Sequence, residues 1–337
     1  MSRTLHLCLA LQLTVPGAAA AETTKTFQRP PAGATTVLWE APKPMTAADW
    51  TWGPGGQDHA PVPPFQFVKE DLSGTNPKVE VKDAKGTTWT VKFGPEVHGD
   101  TFAPRLVYAA GYIVVPTYFV ASGTIAGTDH LKRAKRFLRD GAFRDARFKL
   151  HDKGTLARED KYDWSWKDNP FSGSHELAGL KVLMMLTSNW DGKDASDNTS
   201  NTGVFLRKAD SGYAYVFTDW GATMGKWGNF FQRGKWDSRG YARQTRKLVK
   251  SVSANGEITW GYSSRKHKRD ITQGIQISDV RWLVPWLARI TDQDLHAGLM
   301  ASGALPENVE TFTSAIRGRI RELQEVAGDR QNPAQSK

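Results

Sequence analysis

The sequence predicts an α+β fold of two lobes, a small antiparallel β lobe followed by a larger, mainly helical one. Three observations predict it. Apolar residues of period two fill short runs between residues 65 and 93. Apolar residues at helical spacing dominate after Gly225. Between them an apolar helix is followed by a short pair of strands. With 337 residues and 39% apolar content, there is ample material for such a core.

The first 21 residues have the layout of an export signal: Arg3, an apolar run from Leu5 to Val15, the break Pro16-Gly17, then small residues from Ala18 to Ala21. That run is too short to span a bilayer. Cleavage is expected near Ala20-Ala21, which would place the mature protein in the periplasm or outside the cell. The single cysteine, Cys8, would leave with the signal, so disulfides and thiolate chemistry are not expected. No later run is apolar enough for a membrane helix. Residues 22–64 are rich in Pro, Gly, Ala and Thr and read as an extended arm over the surface.

The small β-rich lobe is expected at 65–121. Phe65–Lys69, Lys78–Val81 and Thr88–Phe93 read as strands, with Asp83–Gly86 a hairpin turn. Asp100 or Thr101 can cap a helix running to about Ala110, where Pro104 is tolerable because it falls in the first turn. Gly111–Val120 reads as another strand. The larger lobe is expected at 122–327, with a helix at Ser174–Leu186 that is apolar on most sides and therefore buried. Pro306 starts a helix whose stripe Val309, Phe312, Ile316, Ile320 and Leu323 reads as core packing. Residues 328–337 read as a disordered tail.

The formal net charge is +10, with basic clusters at Lys132–Lys149 and Arg265–Arg269. Such a surface suits anionic envelope polymers, lipid headgroups or phosphate-bearing ligands, and reads equally well as a solvated face. Nucleic acid is not the expected partner. Thirteen Trp are many, and buried aromatic anchors are their expected use.

Chemistry concentrates between Leu186 and Gly225. The buried helix ends at Asp191 with Lys193 two residues on. Asn201 opens one strand, and the strand Tyr213–Thr218 delivers Asp219 before Trp220-Gly221. Upstream, Lys92 stands in an alternating apolar strand, where it needs an anionic partner; Glu96 and Asp100 are the candidates. Ser73-Gly74-Thr75 between the first two strands could cradle phosphates through backbone amides, although no G-x-x-x-x-G-K-[ST] loop is present. A strand lysine, a helical carboxylate, Asp-x-Lys, Asn and Asp-x-Gly in this order are the parts of a phosphoryl-transfer site. A carbohydrate hydrolase using Asp191 and Asp219 as paired carboxylates is an alternative. No G-x-S-x-G elbow occurs, and His98, His151 and His175 lack zinc-ligand spacing.

This order resembles the protein-kinase-like fold, and more closely its atypical branch of phosphoinositide kinases, HipA-type kinases and spore-coat kinases. Residues 65–325 are also similar to a family of secreted bacterial proteins, through Val91–Gly94, Arg105–Val107, Ser188–Asp191 and Phe217–Gly221. The resemblance implies that Lys92 contacts nucleotide phosphates, with Asp100 pairing it and Gly74 and Thr75 beside them. Asp191 would be the catalytic base, assisted by Lys193. Asp219 and Asn201 would bind Mg2+ or Mn2+ with ATP or a similar nucleotide, with Asn198 as the alternative to Asn201. Ser196 stands where the kinase pattern places Asn, Asn189-Trp190 replaces His-Arg, and Asp100 is shorter than the usual Glu. The function implied is an exported, metal-dependent phosphotransferase acting on an envelope protein, lipid or wall component. A non-catalytic, pseudokinase-type binding module is the alternative.

Overall fold

The computed structural model describes residues 27–74, 76–151, 155–228 and 233–328, so the expected signal, Thr75 and nearly all of the expected tail lie outside the described residues. In chain order the elements are β1 (Thr36–Val37), α1 (Ala47–Trp52), β2 (Phe65–Asp71), β3 (Lys78–Lys82), β4 (Thr88–Phe93), α2 (Gly99–Ala109), β5 (Thr117–Ala126), a 3-10 turn at Ala134–Phe137, β6 (Ala142–Leu150), β7 (Leu156–Arg158), α3 (His175–Leu186), β8 (Thr202–Arg207), β9 (Tyr213–Phe217), α4 (Ser238–Gln244), β10 (Val249–Val252), β11 (Ile258–Trp260), α5 (Lys268–Thr272), α6 (Ile277–Ala288), α7 (Asp292–Ala301) and α8 (Pro306–Ala327).

The small lobe is a closed barrel in the order β2-β3-β4-β6-β5, shut by a short parallel pairing of β2 with β5. It is therefore not purely antiparallel. Alternation sorts its faces: Val79, Val81, Trp89, Val91, Phe93 and Phe148 fill the interior. Each such side chain contributes roughly 1.5–3 kcal/mol on burial. Lys78, Lys92 and Arg147 share one register across three adjacent strands, on the barrel's outer face.

The barrel continues to Leu150, past the lobe boundary expected at residue 121, because β6 pairs with both β4 and β5. β5 begins at Thr117 rather than Gly111: Pro116, which has no N–H to donate to a ladder, immediately precedes it. The described part of the arm is more structured than an extended arm. β1 pairs in parallel with β9, extending the sheet β1-β9-β8-β7, and α1 buries Trp50 against the larger lobe.

The helix α2 starts at Gly99, so Asp100 lies inside its first turn and does not cap it. Pro104 then falls beyond the first turn and leaves the Asp100 carbonyl without its helical N–H. The Thr117 hydroxyl donates to that carbonyl at 3.0 Å. Thr117→Val should leave it unsatisfied and cost about 1–2 kcal/mol in urea unfolding. An unchanged midpoint would show that the proline gap needs no filling.

Although α2 follows the barrel strands, its Phe102, Ala103, Leu106 and Val107 pack into the core of the larger lobe. Buried Arg105 ties it there, donating to Trp50 O (2.9 Å) and Thr51 O (3.0 Å) at the end of α1. That core also takes the buried face of α3 and the α8 stripe Val309, Phe312, Ile316, Ile320 and Leu323.

Candidate functional site

Lys92 projects from β4 toward α2 and is 5% exposed. Its ammonium lies 2.6 Å from Asp100 Oδ2, 3.0 Å from Glu96 Oε2 and 3.5 Å from Asp219 Oδ1. Both carboxylates weighed as its partner therefore reach it. Because Lys92 belongs to the barrel and Asp100 to a helix mounted on the larger lobe, this contact joins the two lobes. Burial opposes the charge on Lys92, but Asp100, Asp219 and Glu96 outweigh it and raise its pKa.

Asp100 Oδ1 accepts from Trp220 N–H at 2.8 Å, which fixes the Asp219-Trp220-Gly221 turn against α2. Asp219 Oδ1 accepts from Gly221 N–H at 3.0 Å. Gly221 has no room for a side chain, since a Cβ there would lie 2.7 Å from Glu96 Cβ. Burial pushes the Asp219 carboxyl up, but Lys92, Gly221 N–H and Arg147 hold it well below the usual carboxylate range. Glu96 also contacts Lys235, in the segment after the Asp-Trp-Gly turn.

The Asp191 loop is held from several sides. Asn189 Oδ1 accepts from Asp191 N–H at 3.1 Å, and Asn189 Nδ2 donates to Asp219 O at 3.2 Å. Asn201 is buried and its Nδ2 donates to Asp191 O at 2.7 Å, so its amide oxygen is the atom it can offer to a ligand. Asn198 is exposed. Lys193 lies 3.2 Å from Asp191 Oδ2, whereas the buried Asp191 Oδ1 has no hydrogen-bond partner among the described residues. Burial and Asp219 raise the Asp191 pKa against the pull of Lys193.

A cleft of about 710 Å³ lies between the lobes. Lys78, Lys92, Arg147 and Lys149 line it from the barrel, and Asn201, Thr218 and Asp219 line it from the larger lobe. Val115, Leu150, Leu156 and Phe205 form an apolar end. Asp191 and Lys193 do not line the cleft. Gly74 is exposed and does not line it either. Ser73 N–H and its hydroxyl donate to Asp71 Oδ1 at 2.8 and 2.6 Å, so they are not free to hold a phosphate. Thr75 lies outside the described residues.

The sequence reading missed Arg147 and Lys149, which sit in a stretch that reads as a solvated basic face. The available signal was alternation, since Ala146, Phe148 and Leu150 point inward and place Arg147 and Lys149 opposite. Arg147 is buried, 3.5 Å from Asp100 Oδ2.

Burial and Arg147 lower the Lys149 pKa to about 7 from 10.5, partly opposed by Asp100 and Asp219. The unfolded chain thus binds more protons than the native one between those values, and stability should rise with pH across that window. From pH 7 to 9 this contribution is about 2 kcal/mol at most, and Lys149→Met should remove it from urea titrations. A pH slope that survives the substitution would overturn the assignment.

A second group that sequence spacing did not reveal joins Asp194, Asp197 and His267. It is closed on itself. His267 Nε2 lies 2.7 Å from Asp197 Oδ2 and its Nδ1 2.9 Å from Asp270 Oδ2, while Asp194 accepts from Trp166 N–H and the Ser196 hydroxyl. This knot pins the loop that carries Asp191 to Asn201.

Among the described residues, no helix is long and apolar enough to cross a membrane. No protein-family model and no curated protein matches the sequence. Solved structures do match in shape. The Golgi casein kinase with Mn and ADP bound aligns with 83% of this chain and 74% of its own, at 11% identity and a TM-score of 0.43. The Helicobacter pylori proinflammatory kinase CtkA aligns with 75% of this chain and 93% of its own, at 13% identity and a TM-score of 0.43. A further structure of the Golgi casein kinase aligns with 81% of this chain and 74% of its own, at 10% identity and a TM-score of 0.41. The two-lobed α+β class expected from the sequence is the class observed, on the evidence of its own strand order and cores.

Proposed function

We propose that this chain is an exported, kinase-like phosphotransferase that binds a nucleotide with Mg2+ or Mn2+ in the cleft between its lobes. The observation that carries this reading is the meeting of Lys92, Asp100 and Asp219, from three separate segments, with Lys92 and Asp219 lining that cleft. Lys92, oriented by Asp100 and Glu96, would bind the phosphates, with Arg147 beside it. Asp219 and the amide oxygen of Asn201 fit a hard divalent cation, because both offer oxygen at the cleft wall. Glu96 and Asp100 are less suited to that role, since Lys92 already neutralises them. The bound cation would supply charge neutralisation on the phosphates. Asp191, with its raised pKa and unpartnered Oδ1, would take the proton of an acceptor hydroxyl, and Lys193 would keep its other oxygen in place. The acceptor would be an envelope protein, lipid or wall component, reached after removal of residues 1–21.

The test is a thermal-shift panel of nucleoside triphosphates with and without Mg2+ or Mn2+. Stabilisation that requires both is expected, because a ligand that binds only the native state raises the melting temperature. Asp219→Asn should abolish the metal-dependent part. The reading fails if no nucleotide shifts the melting temperature, or if Asp219→Asn leaves the shift intact.

A further inference from the structure

Charge in the cleft is matched unevenly. Lys92 has three carboxylates within 3.5 Å. On the neighbouring strand Lys78 lies 2.8 Å from Asp71 Oδ2, and Glu80 Oε1 lies 3.1 Å from Lys69. Arg158 lies 3.7 Å from Asp163 Oδ2, with the exposed Asp160 at 4.0 Å. Arg147 and Lys149 are left over. The carboxylate beside Arg147, Asp100 Oδ2 at 3.5 Å, is already held by Lys92 at 2.6 Å. The buried Arg147 Nε has no hydrogen-bond partner among the described residues. Lys149 Nζ donates to the neutral Thr218 carbonyl at 3.2 Å and forms no ion pair among the described residues. The two cations stand two positions apart on one face of β6, and both line the cleft. That spacing is about 7 Å along the strand, which long side chains can close on one anion.

We propose that Arg147 and Lys149 form a phosphate-binding subsite of the cleft that takes a single phosphate group without a metal ion. This deepens the nucleotide reading above, on which the identity of the ligand rests. A buried, incompletely paired guanidinium is costly in a folded protein unless an anion completes it. A phosphate dianion suits both side chains, because its oxygens accept and theirs are N–H donors. Arg147 also pushes the Lys149 pKa down, and an anion between the two would relieve that repulsion. The subsite stands between Lys92 and the apolar end formed by Leu150, Leu156, Val115 and Phe205. In a nucleotide it would therefore hold the phosphate next to the nucleoside and leave the outer phosphates to Lys92 and the cation. Without the cation those outer phosphates would face Asp219, so a triphosphate still requires it, whereas a lone phosphate does not.

The experiment measures dissociation constants of orthophosphate and AMP for the full chain in metal-free buffer at constant ionic strength. Both should bind. Arg147→Met and Lys149→Met should each weaken both ligands by at least about tenfold, the loss of one charge-assisted contact. Lys132→Met removes the same charge from the exposed basic stretch and should change the affinities by less than about twofold. Melting curves without ligand establish which variants are folded; should Arg147→Met not fold, Lys149→Met decides. No saturable binding of either ligand without metal, or full affinity in a folded Arg147→Met or Lys149→Met, would overturn the proposal. The two ligands also separate the sources of the phosphate. AMP at least about fivefold tighter than orthophosphate identifies the occupant as a nucleotide's inner phosphate, because its nucleoside gains the apolar end. Equal affinity, with no thermal shift from any nucleoside triphosphate and Mg2+, identifies the free ion; the nucleotide reading then falls and the subsite stands.

Discussion

Lys92→Met is expected to destabilise the protein by about 3–5 kcal/mol and to abolish any nucleotide-induced thermal shift. Methionine matches the length of the lysine stem, so the loss comes from charge and not from a cavity. Without the ammonium, Glu96, Asp100 and Asp219 keep carboxylate oxygens within 4.8 Å of one another. Arg147 touches only Asp100 among them, at 3.5 Å, and Lys235 only Glu96. Crowded carboxylates have raised pKa values in the native state, so they oppose folding above their unfolded values near pH 4. The variant should therefore regain stability as the pH falls from 7 to 5 and the carboxylates take up protons. The unaltered protein should gain much less, because Lys92 keeps Glu96 and Asp219 ionised there and only Asp100 is pushed up, by burial. Urea titrations at the two pH values measure both effects. A loss below about 1 kcal/mol, with no recovery in acid, would mean that the ion cluster does not hold the lobes together.

Much of this cluster was legible in the sequence, and for a definite reason. A lysine at an outward position of an apolar strand demands a partner, and an Asp before Trp-Gly at a strand end demands a turn. Those local demands singled out Lys92 and Asp219, whose side chains the structure brings within 3.5 Å of each other. The strands from Phe65 to Phe93 and the helices at Ser174 and Pro306 were equally plain, because their periodicity is local. Closure of the barrel was not legible, since it depends on pairing Phe65 with Ile125, far apart along the chain. Asp100 shows a second limit. Its place near a helix start fits a cap, and only the neighbouring elements reveal that its two oxygens serve Lys92 and Trp220. Arg147 and Lys149 show a third. A run with six basic residues between Lys132 and Arg144 resembles solvated surface, and the two residues that turn into the cleft carry the same letters as those that do not.

Asp191→Asn should separate chemistry from binding. The substitution keeps the shape of the side chain and the backbone bonds from Asn189 and Asn201, which do not involve the carboxylate. It removes the ability to take a proton. Nucleotide-dependent thermal shifts should persist, while phosphate transfer to an acceptor, or to water, should fall by about 10²–10⁴-fold. The buried carboxyl is pushed up by its surroundings and by Asp219. The transfer rate should therefore fall in acid at a pH above the ordinary carboxylate range, as Asp191 becomes protonated. Lys193→Met should move that midpoint higher still, because the cation that lowers the Asp191 pKa is gone. A structural role for Lys193 would change the rate without moving the midpoint. If Asp191→Asn instead loses the nucleotide shift as Asp219→Asn is expected to do, Asp191 belongs to the binding scaffold, and the proton acceptor must be sought among the residues that line the cleft.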